Sequence, residues 1–318
     1  MAGSRVPPLF ELTFLGTSAS APSVHRGLSS QVVSYREHRF LIDCGEGTQR
    51  QILHAGIGFR RMNRILITHG HLDHILGLAG LLSTFARWEA IDELEIWAGK
   101  HALERIHDLL FGVVLRGARP PMRIDLVPVE PGALLEEESF RLSAIPVTHR
   151  GPGCFGFVFE ELARRPFLPE QADRLGVPAG PLRRDLVAGK SVRLPEGKKI
   201  SPDDVLGPLR RGTRLVHIGD CGRTDDLVEA CREADGLVIE ATYLEVEAEM
   251  ARSFGHLTAR RAAELAAAAG VGHLYLTHIS RRYREREVFE EAAAVFPDVS
   301  VARDFDQIHI PDAVGSLS

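Results

Sequence analysis

The chain has no apolar run near the ~20 residues needed to span a bilayer. Its start, MAGSRVPPLFELTF, has no basic-then-apolar leader pattern. Cysteine is sparse. Cys44, Cys154, Cys221 and Cys231 stand far apart with no CxxC pair, which excludes a disulfide framework and a thiolate zinc site. These absences predict a soluble protein of the reduced cytoplasm. Excess positive charge is also missing, since the formal net charge is -5. A nucleic-acid partner would therefore need a local basic patch. No short internal repeat is present.

What is present is ordinary globular composition: 318 residues, 44% hydrophobic and 25% charged. A chain this long buries a core without a structural metal, so a metal here is expected to be functional. Short apolar runs alternate with helical patterns throughout. Strands are predicted at 10–15, 31–35, 39–43, 64–68, 94–98, 123–127, 142–147, 155–160, 214–218, 236–240, 273–277 and 299–302. Helices are predicted at 77–88, 103–110, 225–234, 259–269 and 285–296, with Thr258 capping the fourth and Gly270 ending it. This alternation implies an α/β fold, sheet against sheet with helices outside. From about 164 to 212 the rhythm fails and Pro, Gly, Arg and Lys dominate. That stretch reads as a flexible arm inserted into a single domain spanning 1–318.

The strongest chemical signal is His69-Gly70-His71-Leu72-Asp73-His74, directly after the apolar run RILIT. Imidazole and carboxylate are the ligands preferred by borderline ions such as zinc, and manganese and iron suit them as well. Alternation along an extended strand would put His69 and His71 on one face, with Asp73 and His74 swung to a neighbouring position. Two adjacent metals sharing ligands follow from that arrangement. Further ligands should lie at other strand ends, where His149, Asp220 and His278 each follow an apolar run. Asp220 is the natural bridge, because one carboxylate can touch two ions. Asp43 and Glu46, in IDCGEGTQ, are candidates to orient metal-bound histidines. Ser280 and Arg282 are candidates to contact a phosphate.

These residues resemble the metallo-β-lactamase fold and, more narrowly, the ribonuclease Z family of tRNA 3′-processing endonucleases. The resemblance runs over nearly the whole chain, through FLGTSASAP, FLIDCGEGTQRQ, the histidine cluster, HIGDCGRTDD, EATY, GHLTA and THISRRY. It implies a four-layer αβ/βα sandwich with two Zn2+ per subunit. His69, His71 and His149 would hold one ion, Asp73, His74 and His278 the other, with Asp220 bridging. It assigns Glu240 and His256 to leaving-group assistance and the arm to gripping precursor tRNA, and it implies a homodimer. Three positions depart from the family pattern: Gly27 where Asn is usual, Cys221 where Thr is common, and Ile239 where His precedes Glu-Ala-Thr.

The expected reaction is hydrolysis of the phosphodiester that joins the 3′ trailer to a precursor tRNA. Asp73 would both touch the metal centre and accept the attacking water's proton, and His256, held by Glu240, would protonate the leaving ribose oxygen. The arm carries Arg164, Arg165, Arg174, Arg183, Arg184, Lys190, Arg193, Lys198 and Lys199 but only one aromatic, Phe167. That favours gripping folded RNA by its backbone over reading unpaired bases. The alternative is a small-molecule phosphodiesterase, for example for cyclic nucleotides, which has no need of a basic arm. An idle RNA-binding scaffold has no chemical use for seven ligands, and a lactamase or thioesterase leaves EATY, GHLTA and the arm unexplained.

Overall fold

The computed structural model describes residues 10–88 and 91–310. Residues 1–9, part of the run read above for a leader, lie outside the described residues. Among the described residues two compact units are present, one from 10–160 with 213–310 and one from Glu161–Gly212. Among the described residues no helix is long and apolar enough to cross a membrane.

The larger unit contains two seven-stranded sheets. The first runs in the order Gln307–Ile310, Phe10–Gly16, Ser30–Tyr35, His38–Ile42, Arg64–Leu66, Glu93–Ala98, Arg123–Pro128. The second runs Val299–Val301, Leu274–Thr277, Gly236–Glu240, Arg214–His217, Phe155–Glu161, Phe140–Pro146, Gly132–Glu136. Alternation along the strands creates the layers. Phe40 and Ile42 pack with Val238, Leu215 and Tyr275 in a core between the sheets. Their neighbours face the other way: Leu41 joins Leu78, Leu81 and Phe85 of a flanking helix, while Leu237, Ile239, Leu274 and Leu276 join Ala262, Ala263 and Ala266 of another. Strands buried on both faces read as continuous apolar runs, and most of those runs were legible. The result is the αβ/βα sandwich.

Parallel pairing determines where the loops gather. His38–Ile42 pairs parallel with Arg64–Leu66, and Arg214–His217, Gly236–Glu240 and Leu274–Thr277 pair parallel in turn. Within each parallel set all strands end on the same sheet edge, so the residues that follow them are brought together. Gly219 allows the two sheets to close there, since a Cβ on it would lie 2.7 Å from Thr68 Oγ1.

Several elements differ from the sequence expectation. The strand before the histidine cluster stops at Leu66. His71 is the extended N-cap of a one-turn helix, Leu72–Ile75, which carries Asp73 and His74. The cluster converges by turning out of the strand and into a helix, not by alternating along an extended chain. The predicted helix at 225–234 is only Val228–Cys231, because Asp226 is drawn to Arg223 and Thr148 before it. Lys100–His107 continues as a wider helix, Asp108–Leu115. Helices Thr48–His54 and Ala248–Phe254 are short and had no clear periodicity. Thr258 caps Ala259–Ala269 by accepting the Arg261 N–H, and Gly270 closes it in a left-handed conformation, as expected.

The smaller unit has more order than an open loop. Helices Pro169–Arg174 and Pro181–Val187 each begin with proline, and Val192–Arg193 pairs with Lys199–Ile200. Ala172, Val177, Leu186, Val192, Leu194, Ile200 and Val205 form their own apolar cluster. Two-turn helices and two-residue strands contribute too few apolar positions each to show a period. Arg164, Arg165 and Arg183 are spent on internal ion pairs with Glu161, Asp203 and Asp173. Among the described residues, Arg184, Lys190, Arg193, Lys198 and Lys199 form no ion pair and are exposed.

Candidate metal centre

The loops after Arg64–Leu66, Phe140–Pro146, Arg214–His217 and Leu274–Thr277 bring seven ligand-type side chains together. Facing atoms are His69 Nε2 and His71 Nδ1 at 2.9 Å, and His71 Nδ1 and His149 Nε2 at 3.3 Å. Asp220 Oδ2 lies 3.7 Å from both His69 Nε2 and His149 Nε2. A second group forms on the other side of the same carboxylate. Asp220 Oδ1 lies 3.5 Å from His74 Nε2 and 3.3 Å from His278 Nε2, and Asp73 Oδ2 lies 3.7 and 3.5 Å from those two nitrogens. Asp220 therefore divides its oxygens between two sets of ligand atoms.

The donor set fits divalent metal ions. A tetrahedral ion with bonds of about 2.0–2.1 Å holds its ligand atoms roughly 3.3 Å apart, which the distances above bracket. His74 Nε2 and Asp220 Oδ1 are buried without a hydrogen-bond partner, a costly state unless a cation completes them. The ring nitrogens that His69, His74, His149 and His278 turn away from the centre are held. His74 Nδ1 donates to Asp43 Oδ2 at 2.7 Å and His149 Nδ1 to the Gly255 carbonyl at 2.7 Å. His69 Nδ1 lies 3.1 Å from Thr68 Oγ1, which itself donates to Asp43 at 2.8 Å. His278 Nδ1 lies 2.9 Å from Thr242 Oγ1, whose own proton goes to Glu240. Each partner accepts a proton at Nδ1 and so leaves an Nε2 lone pair aimed inward.

Electrostatics set His74 apart from the other imidazoles. Burial and neighbouring imidazoles push His69 well below its ordinary value, and burial lowers His71 and His149 too, which keeps them neutral. His74 goes the other way: burial is outweighed by Asp220 and Asp43, which raise it. Asp220 is held well below the usual carboxylate range by His278, His74 and His69 in spite of burial. Burial likewise disfavours ionised Asp73, but the His278 hydrogen bond and His74 hold it low. Asp43 and His278 have left-handed backbone, φ +56° and +55°, a conformation costing on the order of 1 kcal/mol or more outside glycine.

Beside the centre, His256 Nδ1 lies 3.0 Å from Glu240 Oε1 and 3.8 Å from Asp220 Oδ2. Glu240 is fully buried and also accepts the Cys221 N–H at 2.6 Å. Burial alone would lower His256, but Glu240 overrides it and brings the pKa up to about 9.

Comparison with known proteins identifies the family. Over 300 residues the chain is 47% identical to ribonuclease Z of Bradyrhizobium diazoefficiens, covering 94% of this chain and 99% of that one. The chain belongs to the ribonuclease Z family. Ribonuclease Z of Gemmatimonas aurantiaca is 37% identical, with 93% and 95% of the two chains covered. The crystal structure of human tRNase Z, short form, superposes with a TM-score of 0.68 at 26% identity, covering 95% of this chain and 99% of that one. Residues 10–163 match the family model described as Anti-Pycsar protein Apyc1, and residues 187–279 match the beta-lactamase superfamily domain.

The three departures from the ribonuclease Z pattern fall outside the seven ligand-type side chains. Ile239 is buried in the core beneath the helices. Cys221 offers its backbone N–H to Glu240 and its thiol to the Arg223 carbonyl. Gly27 donates its N–H to Asp304, and its neighbour Arg26 binds Thr17, the Ala302 carbonyl and Glu285. Asp43 is in contact with His74, whereas Glu46 is exposed on the surface. Arg282 is paired with Glu247, and Ser280 Oγ accepts the Arg282 N–H. Sequence reasoning missed Thr68 and Thr242, whose signal was a hydroxyl within one or two residues of His69 and Glu240. The Gly255 carbonyl had no signal, since any residue supplies one.

Proposed function

We propose that this chain is a zinc-dependent endoribonuclease that cleaves precursor tRNA just 3′ of the discriminator nucleotide and removes the 3′ trailer. The observation that carries the reading is Asp220, shared between two ligand sets with the His256–Glu240 pair beside it. The two sets correspond to two zinc ions per subunit, His69, His71 and His149 on one side and Asp73, His74 and His278 on the other. Bound there, the ions would supply a nucleophilic water at neutral pH and polarise the phosphoryl oxygens. Asp73 orients the attacking water and takes its proton only in passing, since its own proton affinity is held low. His256, kept protonated by Glu240, donates to the ribose 3′-oxygen as it leaves, help worth about 10²–10⁴-fold. The protein acts in the cytoplasm as a homodimer.

The smaller unit supports tRNA over a small substrate, because Arg184, Lys190, Arg193, Lys198 and Lys199 are exposed and unpaired. Arg164 and Arg210 bond to one another's backbone at 3.0 and 2.9 Å, so the ends of the insertion lie side by side. Replacing residues 165–209 by a short glycine-serine linker should abolish precursor tRNA cleavage and spare hydrolysis of bis(p-nitrophenyl) phosphate. Equal loss of both activities would count against the reading. The deciding experiment maps cleavage of a precursor tRNA to the nucleotide, with and without chelator. Cleavage after the discriminator that chelation abolishes is the expected result; inactivity on every precursor with turnover of a cyclic nucleotide would overturn it.

A further inference from the structure

Phe254 is the last residue of helix Ala248–Phe254, and the residue is 44% exposed in a chain with few aromatics. The Arg150 guanidinium lies over that ring, 5.8 Å from its centroid. Among the described residues Arg150 has no ion pair, and its guanidinium packs on this ring. The placement is specific to the active centre. Gly255 caps the helix at φ +70°, and a Cβ on it would meet Arg150 Cγ at 3.0 Å and His149 Nδ1 at 3.5 Å. Only glycine takes that backbone conformation without strain and leaves room for the Arg150 stem. Its carbonyl accepts the His149 Nδ1 proton at 2.7 Å, and the His149 and His256 rings lie 5.1 Å apart. A flat aromatic face with a guanidinium on it is therefore anchored to a ligand histidine on one side and to the acid histidine on the other.

We propose that Phe254 and Arg150 form a stacking platform for the base of the nucleotide immediately 5′ of the scissile phosphate. The inference rests on the endonuclease reading above. Unpaired bases bind by stacking on aromatic rings and on arginine planes, a contact tolerant of base identity. The side is given by chemistry. The oxygen that leaves is the 3′-oxygen of the 5′ nucleotide, so that nucleotide lies against His256, next to which the platform stands. A cavity of about 200 Å³ beside His256 is lined by Arg252, which forms no ion pair among the described residues, and by Arg223 and Arg261, which are paired with Asp226 and Glu264. In precursor tRNA the 5′ nucleotide is the unpaired discriminator, whose base is free to stack.

The test is a cycle of enzyme and substrate variants, read as kcat/KM for cleavage of a precursor tRNA. Stacking on one aromatic predicts that Phe254→Ala lowers it by about 5- to 150-fold, with most of the loss recovered in Phe254→Tyr. Making the discriminator abasic should cost the wild type a similar factor, and Phe254→Ala should then add less than about threefold. A platform with no role in binding would leave Phe254→Ala as active as the wild type. Losses that multiply independently, or coupling only to an abasic nucleotide on the 3′ side, would overturn the assignment. A wild type that cleaves no precursor overturns the endonuclease reading and the platform with it, whereas an active wild type with an unaffected variant overturns the platform alone.

Discussion

Asp43→Asn separates orientation of a ligand from ligation itself. Asp43 is fully buried and accepts three groups: the Thr68 N–H and the Thr68 hydroxyl, each at 2.8 Å, and His74 Nδ1 at 2.7 Å. Asparagine keeps the shape and tolerates the left-handed backbone at this position, whereas alanine would add strain. The amide can satisfy only one side. If its oxygen stays on the Thr68 N–H, its NH₂ meets the His74 Nδ1 proton donor to donor. His74 must then carry its proton on Nε2, the atom facing Asp73 and Asp220. If the amide flips, a buried N–H at Thr68 loses its acceptor, at about 1–3 kcal/mol. Loss of such an outer partner typically weakens metal binding by about 10–100-fold, or about 1.4–2.7 kcal/mol. The larger effect should fall on the set of Asp73, His74 and His278, since Asp43 touches His74 directly and reaches His69 only through Thr68. Competition against a chromophoric chelator should show one ion weakened by that factor and the other affected less. Excess metal should restore hydrolysis of bis(p-nitrophenyl) phosphate. Two ions bound with wild-type affinity would refute the claim that Asp43 sets the His74 tautomer.

Glu240→Gln should shift the alkaline limb of the pH profile for precursor cleavage. A base with a raised pKa stays protonated until pH passes that value, so His256 serves as acid up to pH about 9. Without the Glu240 charge, burial pulls it back toward its ordinary 6.5, and the limb should move to lower pH by up to about 2.5 units. An alkaline limb that stays in place would assign the proton to another group. Salt dependence tests the small unit: replacing any one of Arg184, Lys190, Arg193, Lys198 or Lys199 should reduce the slope of log K against log salt by about 1. Arg183, already bonded to Asp173 and the Val177 carbonyl, should leave that slope unchanged and instead lower the melting temperature.

Much of the larger unit was legible because strands buried on both faces must be continuously apolar. LVIE and LYLT have no other economical use. The ligand set was legible for a related reason, since metal chemistry restricts the residue types, and His69-x-His71-x-Asp73-His74 has little meaning without an ion. Short elements were not legible. Ala248–Phe254 and the helices of the smaller unit span two turns or fewer, too little to show a period, and their burial depends on partners distant in sequence.

Residue type alone therefore determined that the chain carries a histidine and aspartate centre and a basic insertion within an α/β fold. Geometry had to come from tertiary structure. The two oxygens of Asp220 face different nitrogen sets only because parallel strands end on one edge and Gly219 lets the sheets close over Thr68. Which lone pair His69, His74, His149 and His278 turn inward depends on Asp43, Thr68, Thr242 and a glycine carbonyl, contacts that no local spacing encodes. Likewise the basic insertion divides into arginines that hold its fold and cations left for a partner, because ion pairing depends on which side chains meet once the chain has folded.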